Sequence, residues 1–444
     1  MLHSEKIENF KYNQGEIQTG GIHMKTSFSL SSLTVNHDRL QTRLECLAEI
    51  GKIGETGVCR LTLSKEDKQA VLQVKRWMED AGLDTRIDDF GNLIGQWVGE
   101  DDSLPILVLG SHIDSQPYGG QFDGTVGVLG ALEVIQTMKD KGLKPKRTIE
   151  VIAFSDEEGC RFDKGLFGVR GILNQLEEGE LERVDKDGIS RKDALIEFGC
   201  NPGEFEESVY PTGRIGEFIE MHIEQGPILD RAGLPVGIVT GISGPLWLTV
   251  ELQGFAGHAG SVPMSYRQDA LVAAAEITLT LHELASLDPE APTVATVGKM
   301  EVFPNSRNII PERVRFTIDL RDIDLGRRRD IEAVLYPAID QICEKHQVTS
   351  TIRVDTESEP RYCAESIMND MRSAANDIYG EAIPELMSGP FHDAIAMSTV
   401  CDYGMIFVRC KDGISHNPKE SAEFDDISQG TELLYRTVVR RVVE

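Results

Sequence analysis

The sequence predicts a two-domain α/β fold: a mainly parallel sheet flanked by helices, with a small ferredoxin-like β-α-β-β-α-β domain inserted into it. Short, uninterrupted apolar runs alternate with stretches of helical periodicity, the pattern of parallel strands buried on both faces. A long interval with its own strand and helix order separates two of those runs. At 444 residues the chain also exceeds the length at which one core usually divides.

In chain order, residues 1–30 read as a polar leader open to disorder, with Met24 as an alternative start. Over 38–53 and 64–81 apolar residues recur at helical spacing, and Ser64 with Glu66 and Asp67 supplies an N-cap and an acidic first turn. The run at 105–110 reads as a strand, 125–141 as a helix and 148–154 as a second strand, which implies a parallel unit. Further strands are expected at 216–223 and 405–408. Between these, 247–255 reads as a strand, 266–285 as a helix, 293–302 and 314–320 as strands, 327–346 as a helix and 350–354 as a strand. The expected boundaries are 31–243 and 355–444 for the main domain and 244–354 for the insert.

With 73 acidic and 45 basic residues, the formal charge of −28 would repel a phosphate backbone, so no nucleic-acid partner is expected. No membrane partner is expected either, because no run approaches about 18 apolar residues. The eight cysteines are scattered singly without a CxxC pair, which suits a reducing compartment and places the protein in the cytoplasm.

The chemically informative residues lie just past the C-terminal ends of the predicted strands, where open α/β sheets bind ligands. They are His112 and Asp114 after the first strand, Asp123 at the following helix start, Glu157 and Glu158 after the second strand, His222 at the third, and His416 beyond the last. Any one of these alone reads more simply as a surface or satisfied core residue. Together on one rim, three imidazoles and several carboxylates suit two divalent ions, zinc first, with manganese, cobalt and nickel also accepting such ligands. Asp123 is assigned as the bridge between the ions. Adjacent residues of an extended segment point opposite ways, so one of Glu157 and Glu158 can bind metal while the other handles protons; these residues alone leave open which. Asp114 is placed to orient the His112 ring.

The segments GSHIDS, FDGTVGV, FSDEEGCRF, HIEQGP, GHAGSVPM and SHNPKE resemble the hydantoinase/carbamoylase branch of the M20 metallopeptidase clan, from about Leu40 to the C-terminus. That branch includes N-carbamoyl-L-amino acid hydrolases, allantoate amidohydrolases and β-ureidopropionases. The resemblance implies that His112, Asp123, Glu158, His222 and His416 bind the metals and that Glu157 is the general base. It also implies that His258 steadies the oxyanion, often across a dimer, and that Asn308, Arg321, Gln225 and His392 contact substrate. The insert would then be a lid and a homodimer interface. One departure is Pro390-Phe391 where the family commonly has Ala-Gly; Phe391 adds bulk and implies an altered substrate pocket. The expected substrate is a small N-carbamoyl-L-amino acid, hydrolysed to amino acid, ammonia and carbon dioxide. The alternatives are allantoate or β-ureidopropionate, an N-acyl amino acid or dipeptide, and a catalytically silent scaffold that kept the fold.

Overall fold

Strands whose residues are buried along their whole length sit inside a sheet covered on both faces, and two such runs organise the molecule. The computed structural model describes residues 33–443, so the expected leader and Met24 lie outside the described residues. Before the insert come β1 (Asp84–Ile87), β2 (Leu93–Trp97), β3 (Ile106–His112), β4 (Ile149–Phe154), β5 (Ile215–Ile223) and β6 (Val236–Ile242). The insert contributes β7 (Gly244–Gln253), β8 (Val294–Thr296), β9 (Met300–Phe303), β10 (Arg313–Asp322) and β11 (Thr349–Glu357). After it follow β12 (Arg361–Tyr362), β13 (Glu385–Ser388) and β14 (Asp402–Val408). The longer helices are α1 (His37–Ala48), α2 (Lys65–Asp80), α3 (Thr125–Asp140), α4 (Ala270–Ala285), α5 (Leu325–His346), α6 (Glu365–Tyr379) and α7 (Phe424–Val442).

The larger sheet runs β12-β6-β14-β5-β3-β4-β2-β1, with β13 beside β6. Its centre, β14, β5, β3 and β4, is parallel, whereas β6 is antiparallel to β14 and β2 to β4. The sheet is therefore mixed rather than mainly parallel, because an apolar run reports burial and says nothing of direction. Every residue of β3 and β4 is buried, and α3, itself buried along most of its length, packs on β3 and β5 beneath α1 and α7.

The helix expected over 38–53 stops at Ala48; Gly51 then takes a left-handed φ of 82°, and Lys52–Ile53 pairs with Gly57–Val58. α4 begins at Ala270, not 266, because the Asp269 side chain accepts from the Leu271 and Val272 amides. The strand expected over 293–302 is split into β8 and β9.

The smaller sheet is antiparallel, in the order β8-β10-β7-β11 with β9 also on β10. Leu246, Leu248, Val250 and Leu252 of β7 are buried with residues of α4 and α5 in a core separate from the main one, while Trp247 and Glu251 face the other way. At the root of the insert, the buried Arg328 guanidinium donates to the carbonyls of Gly244, Pro245 and Ser358 at 2.8, 3.3 and 2.6 Å, tying the entering and leaving chains together. Among the described residues, no helix is long and apolar enough to cross a membrane.

Candidate active site

Because β3, β4 and β5 are parallel and adjacent, their C-terminal ends share one rim, and the loop after β14 reaches the same place. Asp123 lies at the centre. Its Oδ1 is 3.4 Å from His112 Nε2 and 3.1 Å from His222 Nε2, and its Oδ2 is 3.3 Å from His416 Nε2. His416 Nε2 is also 3.6 Å from Glu158 Oε2. Two donor groups result, His112 with Asp123 and His222, and Asp123 with Glu158 and His416, each with its ligand atoms within 4.8 Å of one another. Either could hold a metal ion, and Asp123 belongs to both. Glu157 belongs to neither, yet its Oε2 is 3.7 Å from His112 Nε2.

The imidazoles are oriented from behind. His112 Nδ1 is 3.0 Å from the Asp114 carbonyl and His222 Nδ1 is 2.9 Å from the Ile223 carbonyl. A carbonyl only accepts, so each Nδ1 carries a proton and each Nε2 faces Asp123, that of His222 also lying 3.1 Å from the Gly124 amide. Asp114 thus meets the ring through its carbonyl, while its carboxylate oxygens accept from the amides of Glu157 and Glu158 at 3.3 Å each, Oδ1 standing 3.7 Å from His112 Nδ1. It thereby fastens the acidic turn to the His112 loop.

Close backbone approach is needed at two glycines. A Cβ on Gly124, whose φ is +63°, would lie 2.5 Å from His112 Nε2, and one on Gly120 would lie 2.1 Å from Glu420 Oε1. Asp156, Gln225 and His416 take left-handed φ values of 57°, 55° and 52°, uncommon for side-chain-bearing residues and costing about 1–3 kcal/mol each at most. Burial opposes charge throughout the cluster, but the three imidazoles outweigh it at Asp123 and hold its carboxyl well below the ordinary range. At Glu157 burial dominates, and with Asp393 and Glu158 nearby it pushes the carboxyl well up despite His112.

A cleft of about 490 Å³ opens over the cluster. His112, Asp123, Glu157, Glu158, His222, Gln225, Arg321, Phe391, His392 and His416 all line it, as do Gln116, Leu166, Trp247 and Pro390. His392 is buried, its Nε2 2.9 Å from Ser388 Oγ and its ring 4.4 Å from that of His222. Arg321 bonds Asp319 through Nε and Nη2 and donates from Nη1 to the Gly389 carbonyl at 2.7 Å. His258 and Asn308 are not brought to the cleft of this chain: both are exposed on the insert, beside each other through the Ala259 amide and Asn308 carbonyl, 2.9 Å apart.

Sequence reasoning missed several supports. Glu420 is buried; its Oε1 accepts from the Phe122 and Asp123 amides at 2.9 and 3.1 Å, and its Oε2 is 3.0 Å from Ser415 Oγ, so it joins the Asp123 turn to the His416 loop. Gln116 grips Glu158 through its amide N–H at 3.2 Å and its side chain at 2.5 Å. Both sit in or beside segments already singled out, SHNPKE and GSHIDS, which was the one available signal.

A nitrogen and oxygen donor cluster at the rim of an α/β sheet, with a carboxylate beside it that is no part of either donor group, defines a metal-dependent hydrolase. The chain belongs to Peptidase family M20/M25/M40, whose sequence model matches residues 108–440, and within it is an amidohydrolase. It is 44% identical over 415 residues to an N-carbamoyl-L-amino-acid amidohydrolase of Pseudomonas sp. (strain NS671), covering 93% of this chain and 100% of that protein. It is 38% identical over 418 residues to allantoate deiminase 1 of Glycine max, covering 86% and 85%. A crystal structure of an amidase of the hydantoinase/carbamoylase family from Burkholderia multivorans superposes with a TM-score of 0.85 at 34% identity, covering 93% and 99%.

Proposed function

We propose that this chain hydrolyses the ureido C–N bond of an N-carbamoyl-L-amino acid, giving the free amino acid, ammonia and carbon dioxide. The observation that carries the reading is the convergence of His112, Asp123, Glu158, His222 and His416, from separate segments, on two donor groups that share Asp123. That donor set suits two divalent ions, zinc first, with Asp123 between them. Bound there, the ions would acidify a water and polarise the substrate carbonyl. Glu157, free of both groups, takes the proton of the attacking water and returns it to the leaving nitrogen. Gln225 Oε1 is buried without a hydrogen-bond partner, an acceptor for an N–H of the ureido group. Arg321 offers its guanidinium to the α-carboxylate, exchanging Asp319 for substrate.

The domains that fit this reading are those expected from the sequence, 31–243 with 355–444 and 244–354, except that the second boundary moves to 357/358 because β11 stays in the smaller sheet through Glu357. The order of the smaller sheet fits a ferredoxin-like lid, with the strand between the first helix and β10 split in two. The exposure of His258 and Asn308 fits a homodimer in which the lid of one subunit completes the cleft of the other. Eight unpaired cysteines support a cytoplasmic placement.

The test is turnover of a panel after chelation and defined re-addition of zinc, manganese, cobalt or nickel. Ammonia in step with free amino acid from N-carbamoyl substrates, lost on chelation, is the expected result. A carboxylic acid without ammonia would instead mean an N-acyl amidase or dipeptidase. Ammonia chiefly from allantoate or β-ureidopropionate would move the substrate within the branch, and no turnover at all by metal-loaded protein would leave a silent scaffold.

A further inference from the structure

We infer that the substrate carries an apolar side chain, selected by an aromatic jaw made of Trp247 and Phe391. The inference rests on the reading above, in which Arg321 holds the α-carboxylate. Trp247 pairs with Asp319 across β7 and β10, and Arg321 is two residues further along β10, so all three stand on the open face of the smaller sheet. The Arg321 guanidinium carbon lies 5.8 Å from the Trp247 ring centre and 5.9 Å from that of Phe391. One ring belongs to the insert and the other to the loop after β13, so the carboxylate grip is walled by one aromatic side chain from each sheet. A carboxylate on Arg321 sets its α-carbon, and hence the side chain, against these rings. Pro390 and Leu166 also line the cleft.

The polar groups of the cleft do not serve a polar side chain. Arg321 is the one lysine or arginine among the described residues lining it, and its guanidinium is committed to the α-carboxylate and, through Nη1, to the Gly389 carbonyl. An acidic side chain would therefore meet Asp319 without a cation of its own. The polar side chains nearest the donor cluster are engaged there, Gln116 with Glu158, Gln225 Nε2 with Asp123 Oδ2 at 2.9 Å, and His392 with Ser388. A second ureido group in the side-chain position would face Trp247, Pro390 and Phe391, where burying it unpaired is unfavourable. The jaw thus favours an N-carbamoyl amino acid with a large apolar side chain over allantoate.

The experiment compares kcat/KM for N-carbamoyl-L-phenylalanine, N-carbamoyl-L-leucine, N-carbamoylglycine, N-carbamoyl-L-aspartate and allantoate in the metal-loaded wild type, Trp247→Ala, Trp247→Phe and Phe391→Gly. Wild type should favour the phenylalanine and leucine derivatives over the other three by at least about tenfold. That ratio should fall to within about threefold in Trp247→Ala and in Phe391→Gly, and be largely kept in Trp247→Phe. Each ratio is internal to one preparation, so partial misfolding does not move it. Equal handling of the glycine or aspartate derivative by wild type, or ratios unchanged in both truncations, would overturn the jaw. Absence of ammonia from every carbamoyl amino acid would overturn the underlying reaction instead.

Discussion

At the scale of single residues, the cluster separates groups that hold position from the group that moves a proton. Glu157 lies outside both donor groups, so Glu157→Gln should keep its metal content while kcat falls about 10²–10⁴-fold; bound metal and turnover measured on one sample check this, and full activity would remove Glu157 from the reaction. Glu420 touches no cleft space but fixes the backbone of Asp123 and the loop of His416. Glu420→Ala should weaken metal retention about 10–100-fold in a chelator competition, and Glu420→Gln should restore much of it, because an amide oxygen can still accept from the Phe122 and Asp123 N–H groups. A plain loss of fold would not be rescued in that graded way.

At the scale of elements, the acidic turn after β4 is held by a buried charge network. Arg191, on the short helix Arg191–Phe198, bonds Asp156 Oδ2 at 2.9 Å, Glu180 Oε2 at 3.2 Å and the Lys164 carbonyl at 2.8 Å. Removing one partner of a buried pair leaves the other uncompensated, so Arg191→Gln should destabilise the protein by about 3–5 kcal/mol in urea unfolding. At the start of α2, burial together with the nearby Asp114 carboxylate pushes the Asp67 carboxyl up to about 8 from an ordinary 3.8, against the pull of the Leu63 amide and Arg60. The folded state therefore keeps a proton that the unfolded chain releases, and stability from this group is present below about 4 and lost as pH rises through about 8. Tm followed from pH 4 to 9 should show Asp67→Asn gaining on wild type across that window; parallel curves would refute it. Neither network was legible in the sequence, because a buried Arg191 or Asp67 is spelled like a surface one. What was legible is period and placement: the runs read at 105–110, 148–154 and 216–223 marked central strands and their shared rim. Strand β6, antiparallel and interrupted by Gly237 and Gly241, went unread because direction and partner are tertiary properties, and helices α6 and α7 went unread although their buried residues recur at helical spacing.

At the scale of the whole molecule, the geometry of one chain leaves two sequence-matched residues out of the cleft. His258 and Asn308 sit together and exposed on the insert, while Arg321 from the same insert already reaches the Gly389 carbonyl of the main sheet. The insert thus supplies Arg321 to its own cleft and presents His258 outward, which is the arrangement expected if a second copy receives it. Two variants that are each inactive, Glu157→Gln and His258→Ala, then test the assembly. In a mixed dimer whose His258 acts across the interface, one cleft combines the intact Glu157 of its own chain with the intact His258 of its neighbour, and the other cleft lacks both. Random pairing at equal amounts makes about half the dimers mixed, each with one working cleft, so ammonia release should recover to about a quarter of the wild-type rate after exchange of subunits. If His258 instead serves its own cleft, every chain in the mixture lacks one essential group and no activity returns. Size-exclusion of the mixture establishes whether dimers form, so that silence from monomers is not mistaken for action within one chain.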